Sequence, residues 1–157
     1  MGIYSVDKLI TETRRIAREY RLATGKILPV TPEIAIHDAI SILKLIPNEE
    51  KNSGYDATYE RGDERLKVQI KGRAIFDDKK QGYRIGEVKR EREWDCIILV
   101  IMNADFMPVE IYMAKREIIL DKLEEKNKKK GAMTIAKFKL ISELLWTEQF
   151  GFEQEEN

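Results

Sequence analysis

Apolar and polar positions alternate with a period of two through residues 54–73. Tyr55, Ala57 and Tyr59 interleave with Asp56, Thr58 and Glu60, and past Gly62 and Asp63 the apolar Leu66, Val68 and Ile70 interleave with Arg65, Lys67, Gln69 and Lys71. The alternation predicts two strands, and a Gly-Asp pair between them, glycine first, predicts a two-residue hairpin loop of type II′. In that register Tyr55 faces Ile70, Ala57 faces Val68 and Tyr59 faces Leu66. The other side pairs Asp56 with Gln69, Thr58 with Lys67 and Glu60 with Arg65. A slip of one residue would set every apolar side chain against a polar one, so the pattern itself holds the register.

Elsewhere the period changes. Residues 6–23 carry Leu9, Ile10, Ile16, Ala17, Tyr20 and Ala23 among many charges and stop at Thr24-Gly25, which predicts an amphipathic helix with Arg14, Arg15, Arg18 and Arg21 on a solvated face. Thr31-Pro32-Glu33 starts a second helix, with the Thr31 hydroxyl as its cap, running to about Leu45. Ile36, Ala39, Ile40, Ile42 and Leu43 share one arc of it, and Glu33 falls at the arc's edge. Residues 47–53 read as a polar connection and 74–82 as a loop with Asp77-Asp78-Lys79-Lys80 at its tip. The continuous apolar run 96–102 fits a strand buried on both faces, and 109–113, after Pro108, a shorter one. Residues 114 to about 126 predict a helix ending among Lys126, Lys128, Lys129 and Lys130. Thr134 caps a last helix through Trp146, with Ile135, Phe138, Ile141, Leu144 and Leu145 on its apolar side. The chain's acidic end, 153–157, reads as frayed. This order is α/β, a mixed sheet flanked by helices in a single domain of 157 residues.

Formal charge is zero, from 28 basic and 28 acidic residues, so no global field marks a polyanionic partner. Locally the balance shifts, because residues 61–92 hold eleven Lys or Arg against six acids. That leaves five net positive charges around the hairpin, a patch able to draw a phosphate backbone inward or simply a solvated face. Cys96 is the only cysteine and lies in the apolar run, which predicts a buried thiol in a reducing compartment. No apolar run approaches a membrane span and the N-terminus lacks a signal peptide's apolar core, so a soluble cytoplasmic protein without a membrane partner is expected.

The hairpin register carries the chemistry. Asp56 comes beside Gln69, with Lys71 in diagonal reach on the same face, and two oxygen ligands a few ångströms apart can hold a hard divalent cation. The arrangement Gly-Tyr-Asp, turn, Val-Gln-Ile-Lys resembles the PD-(D/E)XK nuclease superfamily, the restriction-endonuclease-like fold, over roughly residues 31–116, with the first and last helices as additions. Two departures stand out. Tyr55 occupies a position where the family often has Pro. Gln69 replaces the commoner Glu and removes one negative charge, although some branches, such as Mrr-like restriction enzymes, also use Gln.

The resemblance implies that Asp56, Gln69 and Lys71 are catalytic and that Asp56, Gln69 and the Ile70 carbonyl hold Mg2+ or Mn2+. Glu33, matched to the acid that a preceding helix often supplies, would join them; its place in the first helical turn is equally explained by the helix dipole. Arg73, Arg84 and Lys89 are expected to contact nucleic acid, and Arg90 and Arg92 beside them to contact phosphates or position the site, with ordinary surface as the competing reading. Asp95 is read as a strand cap ahead of an additional acid, and His37 as a surface or supporting residue, since one His cannot build a zinc site. The expected activity is metal-dependent hydrolysis of DNA phosphodiesters, of restriction or repair type. A homodimer is implied by the need for two sites to cut two strands. The alternative is a nuclease-fold module, weak or inactive in catalysis, that binds nucleic acid or a protein partner.

Overall fold

The computed structural model of the chain describes residues 5–50, 53–77, 79–80, 82–124 and 132–153. In chain order the elements are α1 (Val6–Thr24), α2 (Thr31–Leu43), β1 (Ile46–Pro47), β2 (Ala57–Arg61), β3 (Glu64–Ala74), β4 (Arg84–Glu87), β5 (Cys96–Met102), β6 (Pro108–Lys115), α3 (Arg116–Glu124), β7 (Ala132–Thr134), α4 (Ile135–Leu140), β8 (Glu143–Thr147) and β9 (Gly151–Phe152). Among the described residues seven strands form one mixed sheet in the order β1-β2-β3-β5-β6-β8-β9, and β4 pairs with β7 as a separate ribbon. The large sheet curls, and Arg61 on β2 reaches Glu143 on β8 through two bonds of 2.7 and 2.5 Å.

From Ala57 to Glu64 the predicted hairpin forms in the predicted register, with Ala57 opposite Val68, Tyr59 opposite Leu66 and Glu60 opposite Arg65. The pairs expected beyond it, Asp56 with Gln69 and Tyr55 with Ile70, are not part of the ladder, because β2 begins at Ala57, and Tyr55 packs on the other core from Ile70. Gly62 takes φ 60° and Asp63 does not share that left-handed conformation, as a type II′ loop requires. β3 is longer than its partner. Its second half leaves β2 and pairs in parallel with β5, Val68 against Cys96 through Ala74 against Met102.

β5 is buried at every position, because a layer packs on each face of the sheet. Cys96, Ile98, Val100 and Met102 join Val68, Ile70, Ala35, Ala39 and Phe106 in a core under α1 and α2. Ile97, Leu99 and Ile101 join Trp94, Ile85, Val88, Ile119 and Phe138 in a second core under the β4-β7 ribbon, α3 and α4. The free thiol of Cys96 is buried, and that burial pushes its pKa up to about 11.

Helix α2 sits close on β3 at Gly72. A Cβ added there would fall 2.5 Å from the Ala35 Cβ and 3.3 Å from the Thr31 carbonyl oxygen. Gly72→Ala is therefore expected to cost about 1–3 kcal/mol, the range for forcing an extra methyl into a packed core. Chemical denaturation of the two proteins checks it, and an unchanged midpoint would mean that α2 can lift away freely.

Several expectations need correction. The Thr31 hydroxyl is not the cap of α2: Val30 is the N-cap residue, without a side-chain bond, and Pro32 lies in the first turn. The helix ends at Leu43 because Lys44 turns left-handed at φ 58°. Residues 47–53 are not wholly a connection, since β1 pairs Ile46 with Thr58 and Pro47 with Ala57. The helix expected from 114 begins at Arg116, because Ala114 and Lys115 still pair with Ile97 and Cys96; its lysine-rich end lies outside the described residues, as do Asp78 and 154–157. Thr134 does cap a helix, its hydroxyl accepting from Lys137 N at 3.2 Å, but α4 stops at Leu140. Glu143–Thr147 becomes β8 on the free edge of β6, where pairing satisfies a backbone edge and Leu145 enters the core.

The arginines of α1 are not merely a solvated face. Arg14 makes a two-pronged ion pair with Asp38 of α2, one prong at 2.7 Å, and donates to the Phe106 carbonyl at 2.7 Å. Arg18 bonds Asp105 at 2.7 Å, and the Arg21 guanidinium lies 3.7 Å from the centre of the Phe76 ring. The basic side of α1 is what docks it.

Candidate active site

The polar row of the hairpin meets solvent where β2 ends and β3 continues. Asp56 lies one residue ahead of β2, and its backbone N–H donates to the Val68 carbonyl at 2.9 Å. Its carboxylate Oδ2 accepts from the Ile70 N–H at 2.7 Å, in the place where a longer β2 would have offered a carbonyl. The side chain is thereby fixed against the exposed edge of β3. A strand residue sends its N–H and C=O toward the same neighbour, so the Ile70 carbonyl opens on this edge too.

Gln69 Nε2 donates to the Gly54 carbonyl at 2.9 Å, which orients the amide and makes Oε1 its remaining acceptor. Gly54 is itself held tightly. A Cβ there would lie 2.8 Å from the Glu93 carbonyl oxygen and 2.9 Å from the Arg92 Cβ, so only glycine lets this segment approach the loop ahead of β5.

Lys71 Nζ donates to the Glu87 carbonyl at 2.8 Å, and Arg73 Nε donates to the Arg84 carbonyl. Both carbonyls belong to β4, which carries one extra residue against β7 between Arg84 and Glu87. Gly86 sits in that bulge with φ 94° and would bring a Cβ within 4.0 Å of Lys71 Nζ. The bulge thus aims carbonyls at the polar row of β3 while Ile85 enters the second core.

Asp56, Gln69, Ile70 and Lys71 line one cleft of about 250 Å³ together with Ser53, Gly54, Tyr55, Glu87, Lys89 and Arg92. Burial raises the Asp56 carboxyl above its ordinary 3.8; the Ile70 N–H bond and the Lys71 charge pull it down, and the Glu33 charge pushes it up. Burial likewise lowers the Lys71 ammonium below its ordinary 10.5, opposed by the Asp56 charge and reinforced by Lys89 and Arg73. A partly desolvated acid and a partly desolvated amine thus line one cleft, each within the other's field.

The remaining expected residues are placed as follows. Glu33 is exposed and does not line the cleft; its field reaches Asp56. Arg73 serves as a tie between β3 and β4, Arg84 is exposed, and Lys89 stands at the cleft. Asp95 is a strand cap: Oδ2 accepts from Lys67 N at 2.8 Å. His37 faces Asp7 of α1 at 3.3 Å, away from the cleft.

Arg92, expected with Arg90 to contact phosphates or position the site, does line the cleft; sequence reasoning missed Glu87 as a lining residue and Arg116 as the support of this loop. Arg116 Nη1 donates to the carbonyls of Arg92 at 2.8 Å and Trp94 at 3.0 Å, Nη2 donates to that of Arg90, and the guanidinium stacks 4.4 Å from the Trp94 ring centre. One arginine therefore fixes the loop that brings Lys89 and Arg92 to the cleft. Nothing in their local spacing announced this, because the contacts cross from the end of β6 to the loop before β5.

Among the described residues no three His, Cys, Asp or Glu side chains gather into a metal-binding group. The Asp56 carboxylate, the Gln69 amide oxygen and the Ile70 carbonyl remain as the hairpin's donors at the cleft, with the exposed Glu87 at its lining. All are hard oxygen ligands, a set that suits Mg2+ or Mn2+ held jointly with waters and a substrate phosphate and does not suit a softer metal. No protein-family model matches this chain, and no curated protein sequence matches it.

Proposed function

We propose that the cleft is the active site of a metal-dependent nuclease of restriction-endonuclease-like fold that hydrolyses DNA phosphodiesters. The observation that carries this reading is the convergence of Asp56, Gln69 and Lys71 on one cleft with Lys89 and Arg92 beside it. Asp56, the Gln69 Oε1 and the Ile70 carbonyl would hold Mg2+ or Mn2+. When bound, such an ion makes a coordinated water nucleophilic and offsets charge on the phosphoryl group.

The protein's own groups do the rest. Lys71, steered by the Glu87 carbonyl, presents its ammonium to a phosphate entering beside Asp56 and stabilises the charge that builds on the phosphoryl oxygens. Its lowered pKa also suits it to take or give a proton there. Lys89 and Arg92 engage neighbouring phosphates and set the strand's position. The test is cleavage of duplex and single-stranded DNA with Mg2+, Mn2+ or EDTA. No metal-dependent cutting of either substrate would remove the assignment.

A second reading, a module that binds nucleic acid without cutting it, draws on the same cleft. Apart from the exposed Glu87 it holds a single acid, Asp56, and the Gln69 amide nitrogen is already committed to the Gly54 carbonyl. Binding that weakens steeply with salt and no hydrolysis would favour it. Gln69→Glu separates the two. A carboxylate in that position loses the bond to Gly54 and sets two acceptors together, so the metal-free variant should lose about 1–2 kcal/mol. On the nuclease reading Mn2+ restores that loss, giving a larger rise in melting temperature than in the parent protein and faster cutting. An equal rise in both would speak for the binding module.

A further inference from the structure

Helix α1 turns a second face away from the body. Val6, Leu9, Thr13, Ile16, Tyr20 and Ala23 follow one another at intervals of 3, 4, 3, 4 and 3 residues, the spacing of a coiled-coil seam. Val6 is 65 % exposed, Leu9 50 %, Ile16 49 % and Tyr20 37 %. Among the described residues α1 is anchored from other sides of the helix, by Ala17, Arg14, Arg18 and Arg21.

Charge is excluded from the stripe. Eight of the 19 residues of α1 are Asp, Glu, Lys or Arg, and none occupies a seam position. The polar Thr13 already donates its hydroxyl to the Leu9 carbonyl at 2.7 Å, so covering it would strand no hydroxyl. Lys8, Glu12, Arg15 and Glu19 edge the stripe, two of each sign, with Arg15 bonded to Glu12 at 2.9 Å. A balanced margin gives no pull toward an anionic membrane or a nucleic acid.

We propose that this face is a homodimer interface, in which α1 of one protomer packs along α1 of a second copy. A 3-4 repeat is the pattern that one helix presents to another, and a stripe that needs no foreign charge or pocket is complementary to itself under a two-fold axis. The helix presents fewer than the roughly 20–30 residues per side of a standard interface, so the dimer is concentration-dependent.

Sedimentation over a micromolar concentration series, on the full chain, is expected to show a monomer-dimer equilibrium. A Leu9→Glu, Ile16→Glu double variant should weaken it at least tenfold without lowering the melting temperature, because both side chains are exposed. Leu22→Glu, an exposed apolar residue off the seam, should leave it unchanged. Mixing the double-Glu protein with its Leu9→Lys, Ile16→Lys counterpart should restore dimers. A parent chain that stays monomeric throughout overturns the proposal, as does dimerisation indifferent to the seam charges. So does a monomer that pellets with phosphatidylcholine–phosphatidylserine vesicles through this face.

Discussion

Replacing Lys71 by Met is expected to lower DNA cleavage by about 10²–10³-fold or more, the usual effect of removing one preorganised charge from a developing oxyanion. Methionine keeps an unbranched stem of similar length and removes the ammonium that Glu87 and Gly86 surround. Asp56→Asn should be equally damaging to cleavage, while its side-chain oxygen can still accept from the Ile70 N–H, so the hairpin stays closed. Single-turnover cleavage with circular dichroism on the same samples checks both. Full activity in either variant would take that residue out of the chemistry.

The same pair sets the pH response. Asp56 titrates above its ordinary 3.8, so the acid limb of the rate profile should lie above that value. Between 3.8 and the raised value the folded state holds a proton that the unfolded chain has released, so this group's contribution to stability falls as pH rises. For Lys71, between its lowered value and 10.5 the unfolded chain holds the extra proton, so stability rises with pH. Lys71→Met should abolish that alkaline rise. It should also move the Asp56 titration, followed by carboxyl NMR, to still higher pH, because the positive charge that held it down has gone.

The largest loss of stability should come from Asp38→Ala. Asp38 is 4 % exposed and receives both prongs of Arg14, whose own side chain is 14 % exposed. Truncating it leaves a guanidinium in a nearly closed site between α1, α2 and the turn after β5, at a cost of about 3 kcal/mol. For a domain of this size that is roughly 6–12 °C in melting temperature. Removing both charges, as Asp38→Leu with Arg14→Met, should return most of the loss, because the penalty belongs to the stranded charge. A single variant that melts with the parent would show that α1 can swing Arg14 into water.

The sequence by itself determined what depends on neighbours along the chain. The alternation from Ala57 to Val68 and the glycine in its loop set the hairpin and its register. The left-handed Gly25 ended α1, the Thr134 hydroxyl capped α4, and an unbroken apolar run made β5 a strand buried on both faces. The grouping of Asp56, Gln69 and Lys71 was legible for the same reason, since a register with one buried side fixes which polar residues are neighbours.

Tertiary structure decided what depends on an edge or a partner far away in sequence. Leu144, Leu145 and Trp146 suit a helix as well as a strand, and the unpaired edge of β6 settled them as β8. The arginines of α1 look like solvent contacts until Asp38, Asp105 and Phe76 are brought beneath them. Glu87 joined the cleft only because the β4 bulge lies over β3, and Arg92 is held there by the Arg116 guanidinium, which ties down the loop before β5. Local sequence carries backbone preference and periodicity; it does not carry the free energy of satisfying a carbonyl, a charge or a strand edge that another segment supplies.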